Sequence, residues 1–267
     1  MDNVPESIYN YRINKINLKD GTPVEPGRIN VFVGANNCGK TQLLKDMLAY
    51  MTGSRTEPVL LTDLDLPYPS TWEELIAAYP MNIVDTNGGL QQLRHISPTL
   101  NAQPAGPQTF NLLNTLKQQL RNTDKREFRQ STGQGMVTFL NTDNRLSLTQ
   151  KCTVQNLQTV GPKNVLEALY HADIAAPNRI RELVKSTFNT DIYFDYTDPG
   201  TLQFRIGNDF STISENSRVA YSQVSRYPIL DNQGDGLRSY VGMISALMSL
   251  SKPIILLDEP EAFLHPP

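Results

Sequence analysis

The sequence predicts an α/β fold in which a mixed sheet is flanked by helices and interrupted by an α+β insertion. Three observations predict it. An apolar run at residues 29–33 leads into the glycine-bearing stretch GANNCGKT at residues 34–41, and from there into a helix-patterned segment. A second short apolar run, residues 254–257, ends in the adjacent acids Asp258 and Glu259. Between them, strand-like and helix-like stretches are separated by turn residues, with no internal repeat and no heptad run long enough for a coiled coil.

Taken in order, residues 8–18 alternate loosely (Ile8, Tyr11, Ile13, Ile16, Leu18) and read as a first strand before turns at Asp20-Gly21 and Pro26-Gly27. Residues 29–33 read as the strand that delivers the glycine loop. Leu43, Leu44, Met47, Leu48 and Met51 then recur at helical spacing, which packs one face on a sheet. Residues 58–64 read as another strand. Ser70 to Glu73 has the form of a capping box opening a helix through Ala78, with Trp72 and Leu75 on its apolar side. The lone tryptophan, Trp72, is read as a packing anchor rather than a base-stacking platform. Residues 93–96 read as a core strand and the Pro- and Gln-rich residues 101–108 as a loop.

From Phe110 the texture changes. Residues 110–122 form an amphipathic helix trailing into Lys117, Arg121, Lys125, Arg126 and Arg129. Asp124 and Glu127 interrupt those cations, which favours a solvated helix face over a phosphate-contacting patch. Residues 136–140 and 145–149 flank Thr142-Asp143-Asn144 as a hairpin, and residues 164–172 and 177–188 are helical. Residues 191–196 and 202–206 form a second hairpin around Asp198-Pro199-Gly200. The stretch DNQGDGLRS at residues 231–239 is a glycine-bearing loop, followed by a helix over residues 240–250. This divides the chain into an N-terminal core half (1–100), an insertion (101–226) and a C-terminal segment (227–267).

The chemistry follows from the loop at 34–41, which has the form G-x-x-x-x-G-K-T between a strand and a helix. Gly34 and Gly39 let the backbone N–H groups of Asn36, Asn37, Cys38 and their neighbours turn inward on phosphate oxygens without a Cβ in the way. Lys40 reaches the β and γ phosphates, Thr41 offers a hydroxyl to Mg²⁺, and the helix N-terminus adds its partial positive charge. Asp258, at a strand tip, would hold Mg²⁺ directly or through water, and Glu259 is placed to polarise a water attacking the γ phosphate. The N-terminus of the helix after residues 231–239 is a second anion-binding element, able to serve a nucleotide held by another copy of the chain.

Bulk properties narrow the classes. A chain of 267 residues with 39% hydrophobic and 19% charged residues suits one elaborated globular domain, or a core with an insertion. A net charge of -3 argues against a protein that coats nucleic acid generally, without excluding a local basic face. The two cysteines, Cys38 and Cys152, have no thiol or histidine at metal-ligand spacing, so a zinc site or structural disulfide is not expected and a reducing cytoplasm fits. Residues 1–6 are polar and no run approaches a membrane span, so a soluble cytoplasmic protein is expected. The guanine-reading N-K-x-D segment of GTPases is absent.

The phosphate loop, the loop before the last helix and LLDEPEAFLHP at residues 256–266 together resemble ABC-type ATPases. The resemblance is nearest to their non-transporter branch: SMC-like ATPases and the overcoming-lysogenization-defect (OLD) family of bacterial and phage defence. It implies a P-loop NTPase with an ABC-ATPase-like head, binding ATP and Mg²⁺, which dimerises around two ATP molecules so that each site takes its phosphate loop from one head and its signature loop from the other. It implies Gly34, Gly39, Lys40 and Thr41 on phosphates and metal, Asp258 on Mg²⁺, and Glu259 as catalytic base with Lys40. Gln233, Gly234, Asp235 and Gly236 become the signature loop acting in trans, and residues 262–265 the loop that crosses the dimer interface.

Gln233 stands where the superfamily has a serine, which alters that side-chain contact or weakens the site. Gln103 is the nearest candidate for the glutamine that senses the γ phosphate, with Gln91 and Gln92 competing. The family continues past its acids with a helix, a strand and a switch histidine, and in the OLD branch with a Toprim nuclease domain; none of these lies between Glu259 and Pro267. His265 is read as a loop or interface histidine. The function expected is an ATPase whose ATP-bound dimer controls a nuclease or defence activity on nucleic acid, with DNA and a nuclease domain or subunit as partners. The alternative is a nucleotide-gated scaffold, or an SMC-like DNA-maintenance ATPase, with little hydrolysis of its own.

Overall fold

The computed structural model describes residues 9–71, 73–75, 82–86, 90–94, 112–154, 162, 164–172, 174–250 and 252–263, and only the backbone path of 82–86, 90–94 and 112–114. The fold is mixed α/β. Its residues group into two units, one made of Met1–His95, Gly106–Phe139 and Lys252–Asp258, the other of Ile96–Ala105, Leu140–Ser251 and Glu259–Pro267. These divisions fall elsewhere than at residues 100 and 226. The segment Gly106–Phe139 joins the unit that holds residues 34–41.

In the first unit, strand β1 (Lys15–Leu18) pairs antiparallel with β2 (Pro23–Val24) and with β3 (Leu61–Asp65), in the order β2-β1-β3. Helix α1 (Lys40–Met51) packs against β3 and buries Leu43, Leu44, Met47 and Met51, the spacing of one helical face. Asp46 on the same helix is 4% exposed and receives the Leu60 and Leu61 N–H groups at 2.6 and 3.2 Å and the Gln42 amide at 2.7 Å. Burial alone would raise its carboxyl, but those donors outweigh burial and hold it below the ordinary range. Asp46 thus ties α1 to the start of β3.

Helices α2 (Leu112–Arg121) and α3 (Arg126–Met136) add Leu116, Phe128 and Met136 to a core built on Ile16, Leu61, Leu64 and Leu75. Gly133 of α3 lets the helix meet α1 closely, since a Cβ there would lie 2.1 Å from the Met51 carbonyl. Strands β4 (Asn82–Thr86) and β5 (Leu90–Arg94) form an antiparallel hairpin beside α2. Strand β6 (Val137–Leu140) pairs with β10 (Ile254–Leu257), which also contacts α1. Lys252, just ahead of β10, donates to the Gln134 and Val137 carbonyls at 2.7 and 3.4 Å, and burial lowers its ammonium to about 8.

In the second unit, β7 (Cys152–Thr153), β8 (Asp191–Asp195) and β9 (Thr201–Gly207) form an antiparallel sheet of order β7-β9-β8. The β8–β9 hairpin is as the sequence predicts, with Gly200 at φ +77° and the Thr201 N–H closing the turn on the Asp198 carbonyl at 3.0 Å. Helix α4 (Thr142–Arg145) precedes β7; α5 (Val165–His171) lies on β9, α6 (Ala175–Phe188) on β8, and α7 (Ser217–Val224) follows β9. Helix α8 (Asp235–Ser249) packs on α4, α5 and α6. The Cys152 thiol is pushed up to about 11 by burial and is inert as a nucleophile at neutral pH.

Several expectations are corrected. The described strands form small sheets of two or three strands rather than one mixed sheet. Residues 29–33 are irregular backbone, not a strand, with Ile29, Val31 and Val33 each at least 78% exposed and Phe32 alone turned onto the core. Asn30 closes a turn on Gly27 in both directions, at 2.8 and 2.9 Å, and among the described residues no backbone partner extends the run as a ladder. Strand β10 is half-covered rather than buried on both faces, with Ile255 38% exposed.

Residues 142–145 are a helical turn, not a hairpin, because Asn141 and Asn144 cap one another reciprocally at 2.8 and 3.0 Å. The cap at 70–74 sits one residue along: Thr71 receives the Glu74 N–H at 3.2 Å and the Glu74 carboxylate receives the Ser70 N–H at 2.8 Å. The last helix opens at Asp235, inside the predicted glycine loop. Trp72, Gln103, the loop at 101–108 and His265 lie outside the described residues, as do the side chains of Gln91 and Gln92.

Candidate functional site

The loop at 34–41 turns through two left-handed residues, Asn37 at φ +64° and Gly39 at φ +97°. Gly39 is the N-cap of α1, with no side chain closing the helix end, so the first-turn N–H groups of the helix face outward from its mouth. A Cβ at Gly39 would also strike Leu60 Cδ1 at 2.8 Å. Gly34 is glycine for a second reason: the loop folds back so that a Cβ there would lie 2.6 Å from Cys38 Sγ. Asn36, Asn37 and Cys38 are exposed along this turn.

Lys40 crosses the loop. Its ammonium donates to the carbonyls of Gly34 and Ala35 at 2.7 and 2.9 Å and passes Cys38 Sγ at 3.8 Å. A cleft of about 560 Å³ adjoins it, with Leu18, Phe32, Val33, Val59 and Leu60 as apolar wall and Lys19 at its rim. That volume is in the range of small-molecule sites.

The two motifs meet at Thr41 and Asp258. The Thr41 hydroxyl donates to Asp258 Oδ1 at 3.0 Å, joining positions 217 residues apart. Asp258 stands at the end of β10 and is 8% exposed, and among the described residues Thr41 is the side chain that donates to it. A buried carboxylate has about four lone-pair positions to satisfy, so this one retains acceptor capacity toward a cation. A carboxylate and a hydroxyl are hard oxygen ligands of the kind Mg²⁺ takes while keeping water and phosphate oxygens for the rest of its shell. No group of three or more His, Cys, Asp or Glu gathers at metal-binding distance among the described residues, which leaves no all-protein cage of the zinc type there.

The other predicted residues belong to the second unit. Glu259 is exposed and held in left-handed backbone, φ +47°. Its carbonyl accepts the Ala262 N–H at 2.9 Å, closing a turn through Pro260, and also a hydrogen bond from Arg145 Nη2 at 2.8 Å. Gln233 closes the 3-10 turn Leu230–Asn232, its N–H bonded to the Leu230 carbonyl at 2.9 Å and its amide to the Ile229 carbonyl at 3.4 Å. Gly234 is the N-cap of α8, exposed and without a side-chain cap, and Asp235 pairs with Arg238 at 3.2 Å. A Cβ on Gly236 would meet the Phe263 carbonyl at 2.7 Å.

Of the basic run at the end of α2 and in α3, Lys117, Arg121 and Arg126 are exposed. Arg129 is structural: it stacks 4.2 Å over Tyr50 and donates to the Tyr50 carbonyl and the Tyr68 hydroxyl, both at 2.8 Å. Lys125 is drawn back to the Leu120 carbonyl. Two buried residues carried no sequence signal, Asp46 on α1 in the first unit and the fully buried Arg145 in the second. No helix among the described residues is long and apolar enough to cross a membrane. Comparison with family models, with characterised proteins and with solved structures finds no match for this chain.

Proposed function

We propose that the chain is a cytoplasmic ATP-binding and ATP-hydrolysing head of the ABC type, whose nucleotide state controls an activity directed at nucleic acid. The observation that carries the reading is the Thr41–Asp258 contact, which joins the tip of the phosphate-loop helix to the acid at the end of β10. Two motifs predicted separately to share one Mg²⁺ meet at hydrogen-bond distance, and the carboxylate involved is buried with acceptor capacity to spare.

In this reading the N–H groups of the loop and of the first turn of α1 bind the β and γ phosphates, and Lys40 exchanges its loop carbonyls for phosphate oxygens. Thr41 and Asp258 hold Mg²⁺, which when bound neutralises charge on the phosphates. Glu259, next in the chain, accepts the proton of the attacking water at its carboxylate. The exposed N-terminus of α8, with Gln233, Gly234, Asp235 and Gly236, serves the nucleotide of a second copy. A homodimer around two ATP molecules, a nuclease domain or subunit, and DNA are the partners this implies. The alternative, a nucleotide-gated scaffold, differs only in turnover.

The test is direct. Lys40→Ala should abolish ATP binding, and retained affinity would remove the phosphate-loop assignment. Glu259→Gln should leave binding intact and stop hydrolysis while the ATP-bound dimer accumulates; a wild-type rate already near zero and unchanged by the substitution would establish the scaffold instead.

A further inference from the structure

Arg145 is the largest fully buried side chain among the described residues, and it is an arginine in a four-residue helix. Its position is set from two sides within the second unit. Arg238 and Gly242, one turn apart on α8, both bear on the backbone of this region. Arg238 Nη2 donates to the Leu146 carbonyl at 3.1 Å, and Gly242 lies so close that a Cβ would be 2.2 Å from the Arg145 carbonyl. The Arg145 guanidinium then reaches the Glu259 carbonyl at 2.8 Å. Glu259 occupies left-handed backbone, a conformation that disfavours a non-glycine residue and persists where its surroundings hold it. The turn that follows is clasped to the same helix, because the Phe263 carbonyl closes on Gly236.

From this geometry we infer that Arg145 is a positioning residue for Glu259, linking the backbone of that acid to α8. The inference rests on the reading of Glu259 as the hydrolytic base and deepens it. A charged donor on the Glu259 carbonyl fixes where its carboxylate projects without touching substrate. The chain of contacts is Gly242 and Arg238 to the α4 backbone, the Arg145 side chain to Glu259, and Phe263 back to Gly236.

The experiment pairs Arg145→Met with Arg145→Lys and reads two quantities: amide hydrogen exchange over residues 253–263, and steady-state ATP hydrolysis. Arg145→Met is expected to speed exchange in residues 259–263 while residues 41–51 keep wild-type protection. It should also lower kcat by about 10²-fold with KM for ATP unchanged, as expected for a misplaced catalytic group. Arg145→Lys keeps a donor and is expected to recover part of both. Should Arg145→Met not fold, Arg145→Lys carries the test, with intermediate exchange and intermediate kcat expected. Unchanged exchange at residues 259–263 in the folded variants overturns the inference. So does a loss of kcat matched by a rise in KM and faster exchange throughout, which would mark a merely structural arginine. Glu259→Gln is assayed alongside: wild-type turnover in that variant removes the base assignment, while the exchange result still decides whether Arg145 holds the segment.

Discussion

Two buried aspartates, Asp258 in the first unit and Asp195 in the second, have nearly the same chemistry and opposite surroundings. Asp195 is 1% exposed and saturated: it accepts the Thr197 N–H and hydroxyl at 3.0 and 2.6 Å, the Gln203 amide at 3.0 Å and Arg205 Nε at 2.9 Å. Asp191 is treated alike, with Arg181 at 2.7 and 2.6 Å and the Phe210 N–H at 3.0 Å. Among the described residues, Asp258, with 8% exposure, has one hydroxyl as donor. The difference separates a carboxylate saturated by donors of its own unit from one to which, among the described residues, a single hydroxyl donates. Burial and residue type do not distinguish them; the number of donors does.

The comparison can be broken from the saturated side first. Asp195→Ala leaves the Arg205 guanidinium, 12% exposed, without its carboxylate and should cost about 3–5 kcal/mol of stability, read as a lowered urea midpoint. Asp258→Ala, equally a deletion of a buried carboxylate, removes one hydroxyl-to-carboxylate hydrogen bond and no ion pair, and should cost about 2 kcal/mol. Equal losses at the two sites would erase the distinction.

Acid titration sharpens the same contrast. Burial would raise Asp191 and Asp195, but Arg181 and the Phe210 N–H for the first, and Thr197, Arg205 and Gln203 for the second, hold both carboxyls below the ordinary range. A folded value below the unfolded one means stabilisation that is fully present above the unfolded carboxylate value of about 4 and is lost as pH falls through the folded value. Urea unfolding from pH 6 to pH 2 should therefore show stability falling below about pH 4, with a shallower fall in Asp195→Asn. A rise in stability on acidification would contradict the sign.

Smaller effects lie around residues 34–41. Asp46→Ala strands the Leu60 and Leu61 N–H groups and should cost about 2–3 kcal/mol by thermal unfolding. Gly39→Ala forces an alanine to φ +97° against Leu60 and should cost about 1–2 kcal/mol while weakening ATP binding. An Asp46→Ala protein as stable as wild type would mean that α1 is held to β3 by apolar packing alone.

What was legible in the sequence follows from how local each signal is. The helix that opens at Lys40 and the short strand that ends before Asp258 were legible because helical spacing and a brief apolar run need few neighbours, and Thr41 and Asp258 meet at 3.0 Å. The β8–β9 hairpin was readable because Asp198-Pro199-Gly200 prescribes a turn between alternating stretches. Residues 29–33 were not, because a strand exists only with a partner, and the Asn30–Gly27 turn acts first. Residues 142–145 were misread because Asn141 and Asn144 serve a helix cap as readily as a hairpin turn. The cap at 70–74 slipped by one because Ser70-Thr71 and Glu73-Glu74 offer two registers of one box. Arg145 was invisible, since only tertiary packing decides that a lone arginine is buried.

The central claim, that Thr41 and Asp258 form the metal end of a nucleotide site, is tested most directly by calorimetric ATP titration of the wild type and Asp258→Ala, each with Mg²⁺ and with a chelator. The account predicts that Mg²⁺ strengthens ATP binding to the wild type, about tenfold or more, and leaves the Asp258→Ala affinity unchanged. The same Mg²⁺ dependence in both proteins, or no ATP binding by the wild type, would contradict it.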